Sequence, residues 1–231
     1  MKTNLLLLLC ILFQFSLSAQ HETRNVGPFD GINVAGHYDV TLVEGKEGVV
    51  KILGNQDDLD LLETYVKGTT LIIKKKKEGW YQKWKFENRK VKIEVSVVSI
   101  SKVNLSGSGS IVSQFALKND RFDATLSGSG DINIDIDTKT LYGQVTGSGD
   151  IVFNGKATDV DFTVTGSGSI IAKEVEASNG EAIITGSGDI EMYARQSLNG
   201  NITGSGDLVC YGVPERQKTK VTGSGNISIR N

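Results

Sequence analysis

Residues that carry out most enzymatic chemistry are scarce in this 231-residue chain, which contains two histidines and two cysteines. Cys10 lies within an apolar leader, so the mature chain would keep only Cys210 and could form no intramolecular disulfide. No Gly-Lys-Ser or Gly-Lys-Thr phosphate-binding motif occurs, and no serine stands in a Gly-x-Ser-x-Gly nucleophile motif. These absences predict a non-enzymatic protein without a cofactor, stabilised by packing.

Long apolar runs are also missing beyond one short leader. Lys2 precedes LLLLLCILF, and the small-residue exit SLSAQ follows, which is the order of a secretory signal peptide. No later segment approaches the length of about 18 apolar residues that a membrane-spanning helix needs. We therefore predict a signal peptide over residues 1–19, no transmembrane segment, and export to the periplasm, the outer surface or the extracellular space.

Charge is balanced overall, with a formal net charge of -2, but basic residues are concentrated in one segment. Residues 74–92 carry nine Lys or Arg and only two acidic side chains, Glu78 and Glu87. Because an exported protein does not meet nucleic acid, we expect any anionic partner to be a glycan, lipopolysaccharide or another envelope component.

Glycine, by contrast, is abundant and ordered in a repeat. The motif recurs seven times, as LSGSGSI, LSGSGDI, VTGSGDI, VTGSGSI, ITGSGDI, ITGSGDL and VTGSGNI. The first glycines of these copies are separated by 21, 19, 19, 20, 18 and 19 residues. A period near twenty residues indicates stacked supersecondary units.

Three columns of mostly apolar residues appear when the repeats are aligned. The first stands two residues before the first glycine: Leu105, Leu126, Val145, Val164, Ile184, Ile202 and Val221. The second stands four residues after it: Ile111, Ile132, Ile151, Ile170, Ile190, Leu208 and Ile227. The third lies two residues further on: Ser113, Ile134, Phe153, Ala172, Met192, Cys210 and Ile229. The step of two is strand periodicity, so the second and third columns point to the same side.

This pattern predicts a mainly β protein, a right-handed parallel β-helix with coils of about 19 residues. A leucine-rich-repeat solenoid is the alternative, but its leucine and asparagine ladder is absent. Gly-Ser-Gly separates two inward-facing columns in every copy, so we interpret it as a corner of the coil, where glycine permits positive φ and close stacking.

Residues 20–100 lack the repeat and are predicted to form an N-terminal cap that continues into the repeat solenoid of residues 101–231. The stretch FDGINVAGHYDVTLVEG has the alternation of paired strands, and VVKILG, TTLIIKKKK and RKVKIEVSVVSI also read as strands. NQDDLDLLETYVKG predicts one short helix, with Asn55 or Asp57 at its N-cap, Leu59, Leu62 and Val66 along one face and Gly68 past its end.

The order of these features resembles a known family. Gly31-Ile32-Asn33 near the mature start, a helix-bearing cap and Ser-Gly-Ser-Gly repeats are together similar to the bacterial GIN-domain family of auto-transporter adhesin head domains. The resemblance implies a right-handed β-helix at an exported or envelope location and an adhesin-like role. It brings no catalytic residues.

The sixth residue of each seven-residue motif is polar, and together these residues form a ladder. Immediately after each Gly-Ser-Gly stand Ser110, Asp131, Asp150, Ser169, Asp189, Asp207 and Asn226. Neighbouring carboxylates at Asp131 and Asp150, or at Asp189 and Asp207, could bind calcium. The alternative is structural: Asp, Asn and Ser can each accept a backbone N–H at a turn, which explains their interchange and is the interpretation we favour.

A second candidate site is the segment KKKKEGWYQKWKFENRK, residues 74–90. Its lysines supply positive charge, and its aromatic rings can stack on sugars or lie at a membrane surface. The alternative is a hairpin whose aromatic residues cover the cap while its lysines solubilise an edge strand. The residues predicted to bind ligand are Lys74, Lys75, Lys76, Lys77, Trp80, Tyr81, Trp84 and Lys85.

These observations predict a secreted, non-enzymatic envelope or cell-surface protein with an adhesin-like binding role, which recognises glycans or anionic surfaces through this segment. Two other classes of function remain open. One is a structural or assembly scaffold that forms homo-oligomers through the C-terminal end of the solenoid. The other is a polysaccharide-processing enzyme, which would need converging acidic residues on one outer face.

Overall fold

The computed structural model describes residues 20–76 and 91–231, which are nearly all strand with one short helix. The strands stack into a parallel β-helix of about seven turns with coils of about 19 residues. This confirms the predicted fold class. Each coil has two long faces, joined at the Gly-Ser-Gly corner, and a shorter third side.

The strand that precedes each corner lies in the first long face, called face A. In spatial order its strands are β5 (Leu62–Lys67), β6 (Thr70–Lys75), β2 (Gly31–Gly36), β8 (Lys102–Gly107), β10 (Leu117–Gly128), β11 (Asp131–Gly147), β13 (Asp159–Gly166), β15 (Asn179–Gly186), β17 (Ser197–Gly204) and β19 (Arg216–Gly223). All neighbours pair in parallel except β5 and β6, which form an antiparallel hairpin.

The strand that follows each corner lies in the second long face, called face B. In spatial order its strands are β1 (Gln20–Asn25), β4 (Val49–Gly54), β7 (Lys92–Val97), β3 (Asp39–Glu44), β9 (Ser110–Ser113), the first half of β11, β12 (Asp150–Lys156), β14 (Ser169–Glu176), β16 (Asp189–Tyr193), β18 (Asp207–Tyr211) and β20 (Asn226–Arg230). Strand β11 is long because it continues from face B around the third side into face A.

The three predicted columns form the core of the solenoid. Their members are buried from the first repeat to the sixth, whereas Val112, between the second and third columns, is 37% exposed on the outside. In the seventh repeat Val221 is 42% exposed, since β19 pairs on one side only, with β17. The strand periodicity of the repeats therefore specified which side chains face inward.

The Gly-Ile-Asn segment is itself a coil of the solenoid. The sequence indicated that β2 and β3 would pair, but β2 lies between β6 and β8 on face A, and β3 lies between β7 and β9 on face B. Gly36 adopts a φ of 135°, as the first glycines of the repeats do, and Tyr38 occupies the place of the second glycine. AGHYD is thus a degenerate copy of the repeat corner.

The cap helix is shorter than the sequence indicated. Helix α1 spans Gln56–Asp60, with Asn55 as the predicted N-cap accepting the backbone N–H of Asp58 at 3.0 Å. The continuation as helix was wrong, because Leu62–Lys67 is strand β5, and Gly68 is in the tight turn before β6. Pairing with β6 outweighs the helical spacing of the leucines, and the residues Thr-Tyr-Val within β5 favour a strand.

Candidate functional site

The lysines of the predicted ligand-binding segment begin at the end of β6. Lys74 and Lys75 belong to this strand and Lys76 follows it, whereas Lys77, Trp80, Tyr81, Trp84 and Lys85 lie outside the described residues. Strand β7 resumes at Lys92, which pairs with Asp39 beside the corner of the Gly-Ile-Asn coil. Strand β6 therefore ends on face A, and strand β7 begins on face B, beside the corner of the Gly-Ile-Asn coil.

Two of these lysines interact with neighbouring cap residues. The Lys74 ammonium lies 3.3 Å from the Glu63 carboxylate and 5.3 Å from the ring centroid of Tyr65. Hydrogen bonding to Tyr65 and Glu63 raises the pKa of Lys74. The Lys76 ammonium donates to the carbonyl oxygen of Asp60, while its side chain remains exposed. Of these three lysines, Lys74 is partly buried, whereas Lys75 and Lys76 are exposed.

Two hollows of about 530 and 400 Å³ adjoin this region, and both are lined by Arg24 and Lys76. Arg24 is not available to a ligand, because its guanidinium donates to the Glu22 carboxylate, the carbonyl oxygens of Leu59 and Leu62, and Thr64 Oγ1. The hydrogen bond from the Arg24 guanidinium to the Glu22 carboxylate lowers the pKa of Glu22. Arg24 therefore holds the end of α1 and the start of β5 against β1, which is a structural role.

The aspartate ladder lies along the start of face B, where its members are in register from coil to coil. Oδ1 of Asp150 accepts the backbone N–H of Ser169 at 2.8 Å, and Asp189 accepts that of Asp207 at 2.8 Å. Asp207 makes the same bond to Asn226 at 2.9 Å. These bonds are the turn-capping role that the sequence favoured. Within residues 20–76 and 91–231, no group of three or more His, Cys, Asp or Glu side chains could hold a metal ion.

The corners themselves are built by tight glycine stacking. A Cβ added at Gly149 would collide with the carbonyl oxygen of Gly130 in the preceding coil, and the serine between the glycines, Ser148, is exposed. The backbone N–H groups of Ser148 and Gly149 donate to the carbonyl oxygen of Gly128 at 2.9 and 3.1 Å. The motif thus joins consecutive coils, as predicted, and presents a row of serines to solvent.

A groove that the sequence did not reveal crosses four coils of face A. Its volume is about 410 Å³, and Val160 and Gly180 lie between its two polar rows. The outer row contains Thr140, Asp159, Asn179 and Ser197, and the inner row contains Tyr142, Asp161, Glu181 and Asn199. Every inner-row residue stands five positions before the first glycine of its repeat. That column could have been aligned, but its residue types differ too much to attract attention.

Burial also perturbs one carboxyl of this groove. Partial burial, with a smaller contribution from Glu181, raises the pKa of Asp161. Arg121 stacks on Tyr142, with its guanidinium carbon 4.0 Å from the ring centroid, and its Nε lies 3.1 Å from the Asp123 carboxylate. The groove is therefore acceptor-rich and acidic, in contrast to the basic end of the cap.

Comparison with known families identifies the chain through this architecture. Residues 28–214 match the model of the family described as "Putative auto-transporter adhesin, head GIN domain". The chain belongs to this family. The match begins just before the Gly-Ile-Asn coil and covers the repeats through the sixth, so the predicted resemblance is confirmed.

Solved structures support the same assignment for this GIN-domain protein. A "putative adhesin" from Bacteroides fragilis is 25% identical, with a TM-score of 0.81 over 93% of this chain and 98% of that chain. A "putative lipid binding protein" from Parabacteroides distasonis is 26% identical, with a TM-score of 0.74 over 94% of this chain and 98% of that chain. A comparison with curated proteins gives no match. Among the described residues, no helix is both long and apolar enough to span a membrane.

Proposed function

We propose that this GIN-domain protein is an exported, non-enzymatic binding module of the cell envelope or surface. It binds anionic glycans, lipopolysaccharide or lipid headgroups through the basic end of the cap. The basic end is defined as Lys74, Lys75, Lys76, Lys77, Trp80, Tyr81, Trp84 and Lys85. The observation that carries the proposal is the position of Lys75 and Lys76, exposed where face A ends at the first corner of the solenoid.

Charge distribution supports an anionic ligand at this end. The sequence places nine basic residues between 74 and 92, and two tryptophans, Trp80 and Trp84, lie in the same stretch of sequence. Ammonium groups attract phosphate and carboxylate, while indole rings lie well at the boundary between apolar and aqueous phases. The lipid-binding name of the Parabacteroides distasonis relative agrees with this chemistry.

Binding to vesicles tests the proposal. The protein from residue 20 onward should bind phosphatidylglycerol vesicles and lipopolysaccharide but not phosphatidylcholine vesicles, and binding should weaken between 50 and 300 mM salt because ions screen exposed charges. The variant K75E/K76E should reduce binding at least about tenfold, equivalent to about 1.4 kcal/mol. The matched control K139E/K156E reverses two exposed lysines of the solenoid, whose side chains are 74% and 67% exposed. Equal losses in both variants would contradict a site at the basic end.

The aromatic residues of the basic end are tested separately. We expect Trp80→Ala combined with Trp84→Ala to weaken binding without lowering the melting temperature, because the rings contact ligand rather than core. A collapse of stability would instead assign both tryptophans to the core of the cap.

The absence of enzymatic activity is tested with polysaccharides. Incubation with acidic and neutral polysaccharides should release no reducing ends and no unsaturated products. Product release that Asp161→Asn abolishes would replace the binding proposal with a polysaccharide-processing enzyme, since Asp161 and Glu181 are adjacent acids on an outer face.

A second candidate function is assembly, favoured by the exposure of the last coil. All residues of β19 are exposed, and Val221 and the partly buried Ile227 and Ile229 are at this end. In this proposal a second copy covers the end and forms a homo-oligomer. Light scattering over a concentration series should then show a larger species that Val221→Lys dissociates; a monomer at all concentrations would exclude it.

A further inference from the structure

We propose that the face A groove binds a saccharide chain that carries no acidic groups, in a site separate from the basic end of the cap. Val160 is buried, and a Cβ added at Gly180 would meet Met192 in the core, so the residues between the two rows face inward while the polar side chains of the rows project outward on either side. Its volume of about 410 Å³ lies within the range of small-molecule sites.

The two rows repeat along the solenoid axis. Thr140, Asp159, Asn179 and Ser197 occupy equivalent positions in four consecutive coils, as do the residues of the inner row. Neighbouring parallel strands are about 4.8 Å apart, so four coils span roughly 14 Å. A chain of similar units lying along the axis would meet the same kinds of group at each coil, which suits a linear polymer better than a compact ligand.

Hydrogen bonds fix the outer row in one orientation. Ser197 Oγ donates to Asn179 Oδ1 at 2.7 Å, and Asn179 Nδ2 donates to Asp159 Oδ1 at 2.8 Å. In the inner row Asn199 Nδ2 donates to Glu181 Oε1 at 3.3 Å. Side chains that are already oriented lose less conformational entropy when a ligand binds.

The groups that remain available are mostly hydrogen-bond acceptors. Among the described residues, the Asp161 carboxylate forms no hydrogen bond or ion pair, and only one oxygen each of Asp159 and Glu181 is engaged. A ligand must therefore supply donors, and the hydroxyl groups of a sugar do so. The Tyr142 ring, fixed by Arg121, adds an aromatic edge to the site.

Charge determines which saccharides fit. Three carboxylates line the groove and no Lys or Arg does, while the nearby Arg121 guanidinium is paired with Asp123. Acidic polymers are repelled, whereas neutral or amino-bearing chains are accepted. This preference is opposite to that of the basic end, so the two sites can be distinguished by ligand charge.

A panel of immobilised oligosaccharides tests the inference. It contains glucose, mannose, N-acetylglucosamine and glucosamine oligomers, with hyaluronan and polygalacturonate fragments as acidic members. We expect at least one non-acidic oligomer to bind at least tenfold more tightly than either acidic fragment. Absence of non-acidic binding, or equally tight acidic binding, would overturn the inference.

Variants locate the binding in the groove. We expect D161N/E181Q and Tyr142→Ala each to weaken binding of the selected oligomer at least tenfold. The matched control D120N/E176Q removes two exposed carboxylates outside the groove, with side chains 84% and 72% exposed, and should leave binding unchanged. K75E/K76E should also leave it unchanged. Equal losses in the groove variant and the control would show nonspecific charge attraction and overturn the assignment.

Discussion

Cys210 occupies an inward position of β18, where it is fully buried, and burial raises the pKa of its thiol to about 11. At pH 8 the thiol is therefore almost entirely protonated, and the thiolate is the reactive form. We expect iodoacetamide to leave the folded protein unmodified at pH 8 and to label Cys210 once urea has unfolded it. Mass spectrometry of both samples measures the difference; rapid labelling of the folded protein would contradict the buried position.

Asp161 gives a second prediction at the residue scale, because folding raises the pKa of its carboxyl through burial and the neighbouring Glu181. A raised folded-state pKa means that the charged form is less stable in the folded protein than in the unfolded chain. The resulting stability loss is absent below the ordinary aspartate pKa and develops as pH rises through the folded-state pKa.

Asp161→Asn should therefore raise the melting temperature at pH 7 and leave it unchanged near pH 3. Calorimetry at both pH values measures this, with the exposed Asp120→Asn as a control that should change neither value. The same increase at both pH values would show that the substitution acts by something other than charge.

At the scale of the structural element, the corner is the feature most sensitive to volume. A Cβ at Gly149 would meet the carbonyl oxygen of Gly130 and Cδ2 of Leu126, the latter at 2.8 Å. We expect Gly149→Ala to lower the free energy of unfolding by about 3 kcal/mol, because the two coils must separate to admit the methyl group. Urea denaturation measures the change, and the exposed Ser148→Ala should stay within about 0.5 kcal/mol of the parent protein.

A calcium titration tests whether the aspartates that follow the Gly-Ser-Gly corners also bind a metal ion. Since Asp150 already accepts the N–H of Ser169, we expect calcium and chelator to leave the melting temperature unchanged. A calcium-dependent rise that Asp131→Asn with Asp150→Asn abolishes would instead establish the predicted metal site.

Sequence reasoning was strongest where one residue type recurs at one place in every coil. The Gly-Ser-Gly corners and the inward columns could be aligned directly, so the parallel β-helix followed from them. The coil of β2 and β3 was missed because His37 and Tyr38 replace the Ser-Gly of the corner. Strand β5 was missed because Leu59, Leu62 and Val66 also fit a helical face, and only pairing with β6 decides between the two.

The face A groove was missed for a different physical reason. Its inner row contains a tyrosine, two acids and an amide, so no shared side chain marks the column. The groove results from the register of four coils, which is not visible in one repeat. Five of the predicted ligand-binding residues lie outside the described residues, so their role stays a prediction: Lys77, Trp80, Tyr81, Trp84 and Lys85.

At the scale of the whole molecule, stability should be nearly the sum of coil contributions and their interfaces. Deleting residues 148–166 joins Gly147 to Ser167 and restores a Gly-Ser-Gly corner. It removes Phe153 and Phe162 together, whose stacked rings lie 5.8 Å apart and face Gly143 of the preceding coil.

We expect this deletion to fold cooperatively with a lower melting temperature, because Gly143 then faces the smaller Ala182 where Phe162 had been. Circular dichroism and gel filtration measure the outcome. Deleting only residues 148–157 moves every later strand to a different face and should aggregate. Aggregation of both variants would argue that the coils are not interchangeable units.

The position of β2 between β6 and β8 has a consequence for the order of events during synthesis and export. Coils from the second repeat onward can be added in the order in which the chain emerges, but the Gly-Ile-Asn coil cannot. On face A, Gly31 pairs with Thr70 of β6 and with Lys102 of β8, so one edge of β2 stays open until β6 has been synthesised and the other until β8 follows. In the folded protein β2 is paired on both edges. Removing it by force from the N-terminal side must break its parallel hydrogen bonds to β6 and to β8 together, rather than separate a single terminal strand.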